Sequence, residues 1–151
     1  MRRACAVLAL TLLAGCGDPT PRSSPDLNTP AGYRQGTLVR AERLAGAVNT
    51  AHTRCTSASV EQCGQALKEQ QTVVLKTPEL APFNGRPLVC DHLAMDYSIL
   101  MESARDYFVQ ARASVGRQDQ AGVRQTVAGR MVSFNQSWTA FNNALPADMC
   151  Q

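Results

Sequence analysis

Histidine is scarce in this sequence, strand-like alternation is missing, and past residue 16 no apolar run approaches the ~18 residues that a membrane-spanning helix needs. Val73-Val74-Leu75 is too short to make a strand, and the apolar period around it is 3.6 rather than 2. With His52 and His92 as the only histidines, Ser-His-Asp and Cys-His nucleophile arrangements have little material to draw on. No Cys-x-x-Cys occurs, which excludes a thioredoxin-like redox pair, a zinc knuckle and, without a following histidine, attached haem. No glycine-rich phosphate loop follows a strand, because there are no strands. Asp91, Asp96, Glu102 and Asp106 are spaced along one helix as a solvated face rather than paired across a cleft. Runs of like charge are absent, and so is the concentrated basic face that nucleic-acid binding needs. The chain is therefore read as non-enzymatic and not a nucleic-acid binder.

The opening of the chain is informative. Met1-Arg2-Arg3 is a positive n-region, Ala6 to Leu13 a short hydrophobic core, and small residues lead into a cysteine, the pattern of a secretory signal peptide. The Ala-x-Ala site of an ordinary signal is missing. Leu13-Ala14-Gly15-Cys16 instead resembles the lipobox of bacterial lipoproteins at all four positions. That resemblance implies export, removal of residues 1–15, and acylation of Cys16, a covalent lipid being the sole cofactor expected. It also implies a membrane anchor with two or more acyl signals and a domain facing the periplasm. Gly17, rather than aspartate, follows the cysteine, which in enterobacterial lipoproteins favours the outer membrane. The 15 basic side chains include Arg2 and Arg3 of the leader, so 13 face 12 acidic ones in the remainder, a nearly neutral surface.

Residues 16–34 are expected to be the lipidated cysteine and a disordered linker. Between Gly17 and Gly32 lie four prolines and many small polar residues, which cannot bury a core. At ~3 Å per residue such a tether reaches on the order of 40 to 50 Å. Residues 35–151 form one domain. Leu38, Ala41, Ala45, Val48 and His52 predict a first helix from Gln35 to about Arg54. Thr56-Ser57 would cap a second, with Val60, Cys63, Leu67, Gln70 and Val74 on one face, stopping before Pro78. A loop with Pro78, Pro82 and Asn84-Gly85 follows. The third helix, from about Pro87 to Val115, carries Val89, Leu93, Tyr97, Leu100, Ala104, Phe108, Ala111 and Val115. Gly116 stops it and Asp119 caps the fourth, from about Gln120 to Leu145, with Val123, Val127, Met131, Phe134, Trp138, Phe141 and Leu145. Four helices joined mostly by short connections predict an all-α, antiparallel four-helix bundle.

Cys5 leaves with the leader and Cys16 takes the lipid, so Cys55, Cys63, Cys90 and Cys150 remain, an even number in an exported chain. If the helices alternate up and down, the end of the first meets the start of the second, and the start of the third meets the end of the fourth. Of the three possible pairings, only Cys55–Cys63 with Cys90–Cys150 joins like ends in both bonds. The longer closure contributes about 4 kcal/mol and the shorter roughly 2.5 kcal/mol in the chain-entropy account.

Two groups of residues are candidates for function. Phe83 in the proline loop, with Met95, Ile99 and Met101 extending the apolar width of the third helix, suggests a groove for a partner's helix, that is, an envelope protein partner. The competing explanation is that the third helix is simply the most buried. His92, Met95 and Asp96 share a face at i, i+3 and i+4, and with His52 they form the alternative, a periplasmic metal carrier. A passive structural lipoprotein is the third reading. In architecture the chain is similar to secretin pilotins, which cradle a helix of their client, to immunity lipoproteins that neutralise periplasmic toxins, and to exclusion lipoproteins of conjugative elements.

Overall fold

The computed structural model describes residues 24–85, 89–117, 120–145 and 150. The leader, Cys16, the first part of the tether, Pro87 and Asp119 lie outside the described residues. The fold is all-α, with helices α1 (Pro30–Ser57), α2 (Val60–Lys76), α3 (Val89–Val115) and α4 (Gln120–Asn143), and no strand among the described residues.

Helix α1 begins five residues before the expected Gln35, so Pro30 to Arg34 belong to the bundle rather than to the linker. The Thr29 side chain accepts from the Gly32 N–H at 3.1 Å, and Pro30 occupies the first helical position, where no amide donor is required. The apolar pattern hides this start because the inward positions are Tyr33, Gly36 and Thr37, of which only the first is large. The Thr37 hydroxyl is satisfied by donating to the Tyr33 carbonyl at 2.8 Å. At its other end α1 continues past Arg54 to Ser57. Thr56 and Ser57 do not cap α2; their hydroxyls donate back to carbonyls of His52 and Thr53 in α1. The cap is Ser59, in a reciprocal capping box with Gln62.

The helices alternate in direction. α1 and α3 pack against each other through the centre, α2 and α4 flank that pair, and α2 barely meets α4. The inward side of α1 is rich in small residues, Ala41, Ala45, Ala47 and Ala51, all buried. Opposite them α3 contributes bulk: Tyr97, Leu100, Met101, Tyr107 and Phe108, all at most 2% exposed. Small against large lets two backbones approach while the interior stays close-packed. Leu67 and Val74 of α2 and Val123, Val127, Phe134 and Phe141 of α4 close the core from either side.

Both expected disulfides are formed. Cys55–Cys63 joins the end of α1 to the start of α2, and Cys90–Cys150 joins the start of α3 to the chain beyond α4, with Cα separations of 4.4 and 5.0 Å. Across the same end as Cys90–Cys150, an Arg34 Nη donates to the Leu145 carbonyl at 2.8 Å, fastening α1 to the end of α4.

Candidate functional site

The connection between α2 and α3 is held in place by two tyrosines of the core. Tyr97 donates its hydroxyl to the Pro78 carbonyl at 2.9 Å, and Tyr33 donates to the Ala81 carbonyl at 2.7 Å. Burial raises the Tyr97 pKa to about 12; burial first, and then the charge of Asp91, raises that of Tyr33. Both hydroxyls therefore stay protonated donors. Arg105 of α3 reaches Glu79 at 3.0 Å, a third tie on the same loop.

Phe83 completes this anchoring and so departs from the sequence expectation. Its ring lies 5.1 Å from that of Tyr33, tilted by 58°, and the residue is 9% exposed. Gly85 accommodates it, since any Cβ there would collide with the phenyl ring. Phe83 folds back on the bundle and is not displayed to a partner. Met101 is corrected likewise: it is 2% exposed, one turn beyond Tyr97 on the inward side of α3. Much of the apolar width of α3 comes from its central position, as the competing explanation held.

Met95 and Ile99 remain on the surface, 55% and 49% exposed and one turn apart on the outward side of α3. Beside Met95 runs a groove of about 510 Å³ lined by Leu80, Pro82, Asp91, Ala94 and Ser98 as well as Met95. Across the Leu80–Pro82 ridge lies a second cleft, about 460 Å³, whose walls include Leu27, Tyr33, Arg40 and Phe83. Arg40 donates to the Gly36 carbonyl at 2.9 Å while its Nε is buried without an acceptor. The two hollows share Leu80 and Pro82 and form one surface, with Arg40 and Glu79 in the second cleft and Asp91 at the edge of the first. Proline punctuation flags this loop in the sequence. The two anchoring tyrosines carry no local signal, because their partners lie 48 and 19 residues away in the sequence.

The alternative metal set is not assembled. His92 is exposed in the first turn of α3, whereas His52 sits near the end of α1 beside the Val127 backbone of α4. The registers of Arg34 with Leu145 and of Arg130 with Asp106 place the two histidines roughly 25 Å apart along the bundle axis, at ~1.5 Å per residue. His92, Met95 and His52 cannot share an ion at that distance. Among the described residues no three His, Cys, Asp or Glu side chains gather as a metal cage, and no helix is long and apolar enough to cross a membrane. No protein-family model, curated protein or solved structure matches the chain.

Proposed function

We propose that this chain is a lipid-anchored, periplasm-facing binding module of the bacterial envelope, recognising another protein through the outward side of α3 and the loop before it. The anchor rests on the lipobox resemblance at Leu13-Ala14-Gly15-Cys16. The observation that carries the binding reading is the exposure of Met95 and Ile99 beside the Leu80–Pro82 groove. The loop is fastened by Tyr33, Tyr97 and Arg105, so the groove is preformed and little ordering cost opposes a partner. Covering the exposed half of two such side chains is worth about 2–3 kcal/mol, roughly a hundredfold in affinity.

The test is affinity capture from membranes with the Cys16-anchored protein, comparing the parent chain with Met95→Glu/Ile99→Glu. One dominant envelope protein retained by the parent and lost with the double variant supports the reading. Equal capture by both, or no partner for a folded and oxidised parent, sinks it and shifts weight to a passive envelope role.

A further inference from the structure

The cleft of about 460 Å³ beside the Leu80–Pro82 ridge contains a cation that forms no ion pair among the described residues. Arg40 lines it from α1, half-buried; one Nη donates to the Gly36 carbonyl of the same helix, and Nε has no acceptor. The other half-buried arginines are met from elsewhere in the fold. Arg34 donates to the Leu145 carbonyl, and Arg105 and Arg130 each face a carboxylate. Glu79 lines the same cleft as Arg40 but is held by Arg105 at 3.0 Å, and Asp91 lines the groove across the ridge. A guanidinium drawn partly out of water without a counter-charge is costly, and an arriving anion offsets that cost.

We propose that this cleft is a binding site for a small organic acid, one carboxylate on an apolar body, with Arg40 taking the carboxylate. The remaining walls select the body. Leu27, Leu80, Pro82 and the Tyr33–Phe83 ring pair are apolar, and the amides of Asn28 and Asn84 add neutral hydrogen-bonding groups at the margin. Mostly apolar walls with a few placed polar groups, in a volume within ~300–1,000 Å³, are the usual make-up of a small-molecule site. A phosphate fits less well, since it brings about 1.5 to 2 negative charges to a single cation and leaves the apolar walls unfilled. The site is also built in advance. A Cβ at Gly36 would collide with the Leu27 side chain and press on an Arg40 Nη, so the glycine lets both share that turn of α1. Tyr33 and Tyr97 fasten the loop opposite, so little ordering cost opposes a ligand. The exposed Met95 and Ile99 do not line this cleft, so the site stands whether or not they meet a protein partner.

The experiment is saturation-transfer NMR on the full-length, oxidised protein in lipid nanodiscs, with empty nanodiscs as the blank. The probes are 3-phenylpropionate and 4-methylpentanoate, each beside its neutral amide. At least one acid should bind saturably, and about tenfold or more tighter than its amide, because a charge-assisted hydrogen bond to the guanidinium is lost in the amide. Arg40→Gln should weaken that acid by a similar factor and leave the amide unchanged, which a misfolded cleft would not do. Arg117→Gln, which removes an exposed arginine outside the cleft, should change neither. The comparison of acid with amide on the parent chain decides the matter even if a variant at position 40 fails to fold. No saturable binding of either acid above the blank, equal affinity for acid and amide, or undiminished binding by Arg40→Gln would overturn the proposal. Displacement of the acid by inorganic phosphate at a lower concentration than the acid's own would also overturn it, by assigning the cleft to a different anion.

Discussion

Replacing both cysteines of one disulfide by alanine separates what the two bonds contribute. Cys90 and Cys150 are 60 residues apart in sequence, Cys55 and Cys63 only 8. A cross-link stabilises chiefly by restricting the unfolded chain, and the restriction grows with the logarithm of the ring it closes. The longer ring is worth about 4 kcal/mol and the shorter roughly 2.5 kcal/mol. All four sulfurs are buried, so each double substitution also removes a similar amount of apolar burial, about 1 kcal/mol, which cancels in the comparison. The informative quantity is the difference, about 1.5 kcal/mol. Urea unfolding of Cys55→Ala/Cys63→Ala and Cys90→Ala/Cys150→Ala should therefore show the second as the less stable by that margin. Its m value should rise more as well, because releasing the larger ring expands the unfolded chain further. Equal losses, or a greater loss from the short ring, would refute the reasoning and show that local packing at the α1–α2 junction outweighs chain entropy.

Met101→Glu puts a carboxylate at a position 2% exposed and should cost 3 kcal/mol or more (about 3–5), whereas Met95→Glu should stay within about 0.5 kcal/mol, both read by thermal or urea unfolding. Tyr107 has a buried hydroxyl with no partner, so Tyr107→Phe should be neutral or slightly stabilising; Tyr97→Phe, which frees the Pro78 carbonyl, should cost about 1 kcal/mol. Burial lowers the pKa of His52 below its ordinary 6.5. The unfolded chain then takes up a proton first as pH falls, so stability declines from pH 6.5 downward until the folded histidine also titrates. Urea midpoints at pH 7.5 and 5.5 should show a smaller acid loss for His52→Gln than for the parent; an identical loss would show that other groups carry it.

Much of this fold is legible where large apolar residues mark an unambiguous stripe. Leu93, Tyr97, Leu100, Phe108, Val123, Val127, Phe134 and Phe141 all face the core as their spacing predicts. The disulfide pairing follows from alternation alone, because each bond reports which helix ends are neighbours. Legibility fails where small residues do the packing. Gly36 and Thr37 conceal the first turns of α1, and Leu44, fully buried, lies off the stripe drawn through Leu38 and Ala45. It fails again for the candidate site, since periodicity shows how wide an apolar face is but not what covers it. Met101, one turn beyond Tyr97, follows the inward stripe and is buried, whereas Met95 and Ile99 lie on the opposite side of α3 and stay exposed; the breadth of apolar residues along this helix blurs that division. Phe83 turns inward because Tyr33 waits on another helix, a contact no local pattern contains.

The most direct test is site-specific photocross-linking in the native envelope, with the photoreactive residue at position 95 or 99 and, for comparison, at position 65 on α2. The account predicts one discrete cross-linked protein from positions 95 and 99 and none from 65, with the product lost when Cys16→Ser releases the chain from its anchor. Indistinguishable products from all three positions, or no product from 95 and 99 in anchored, oxidised protein, would contradict it.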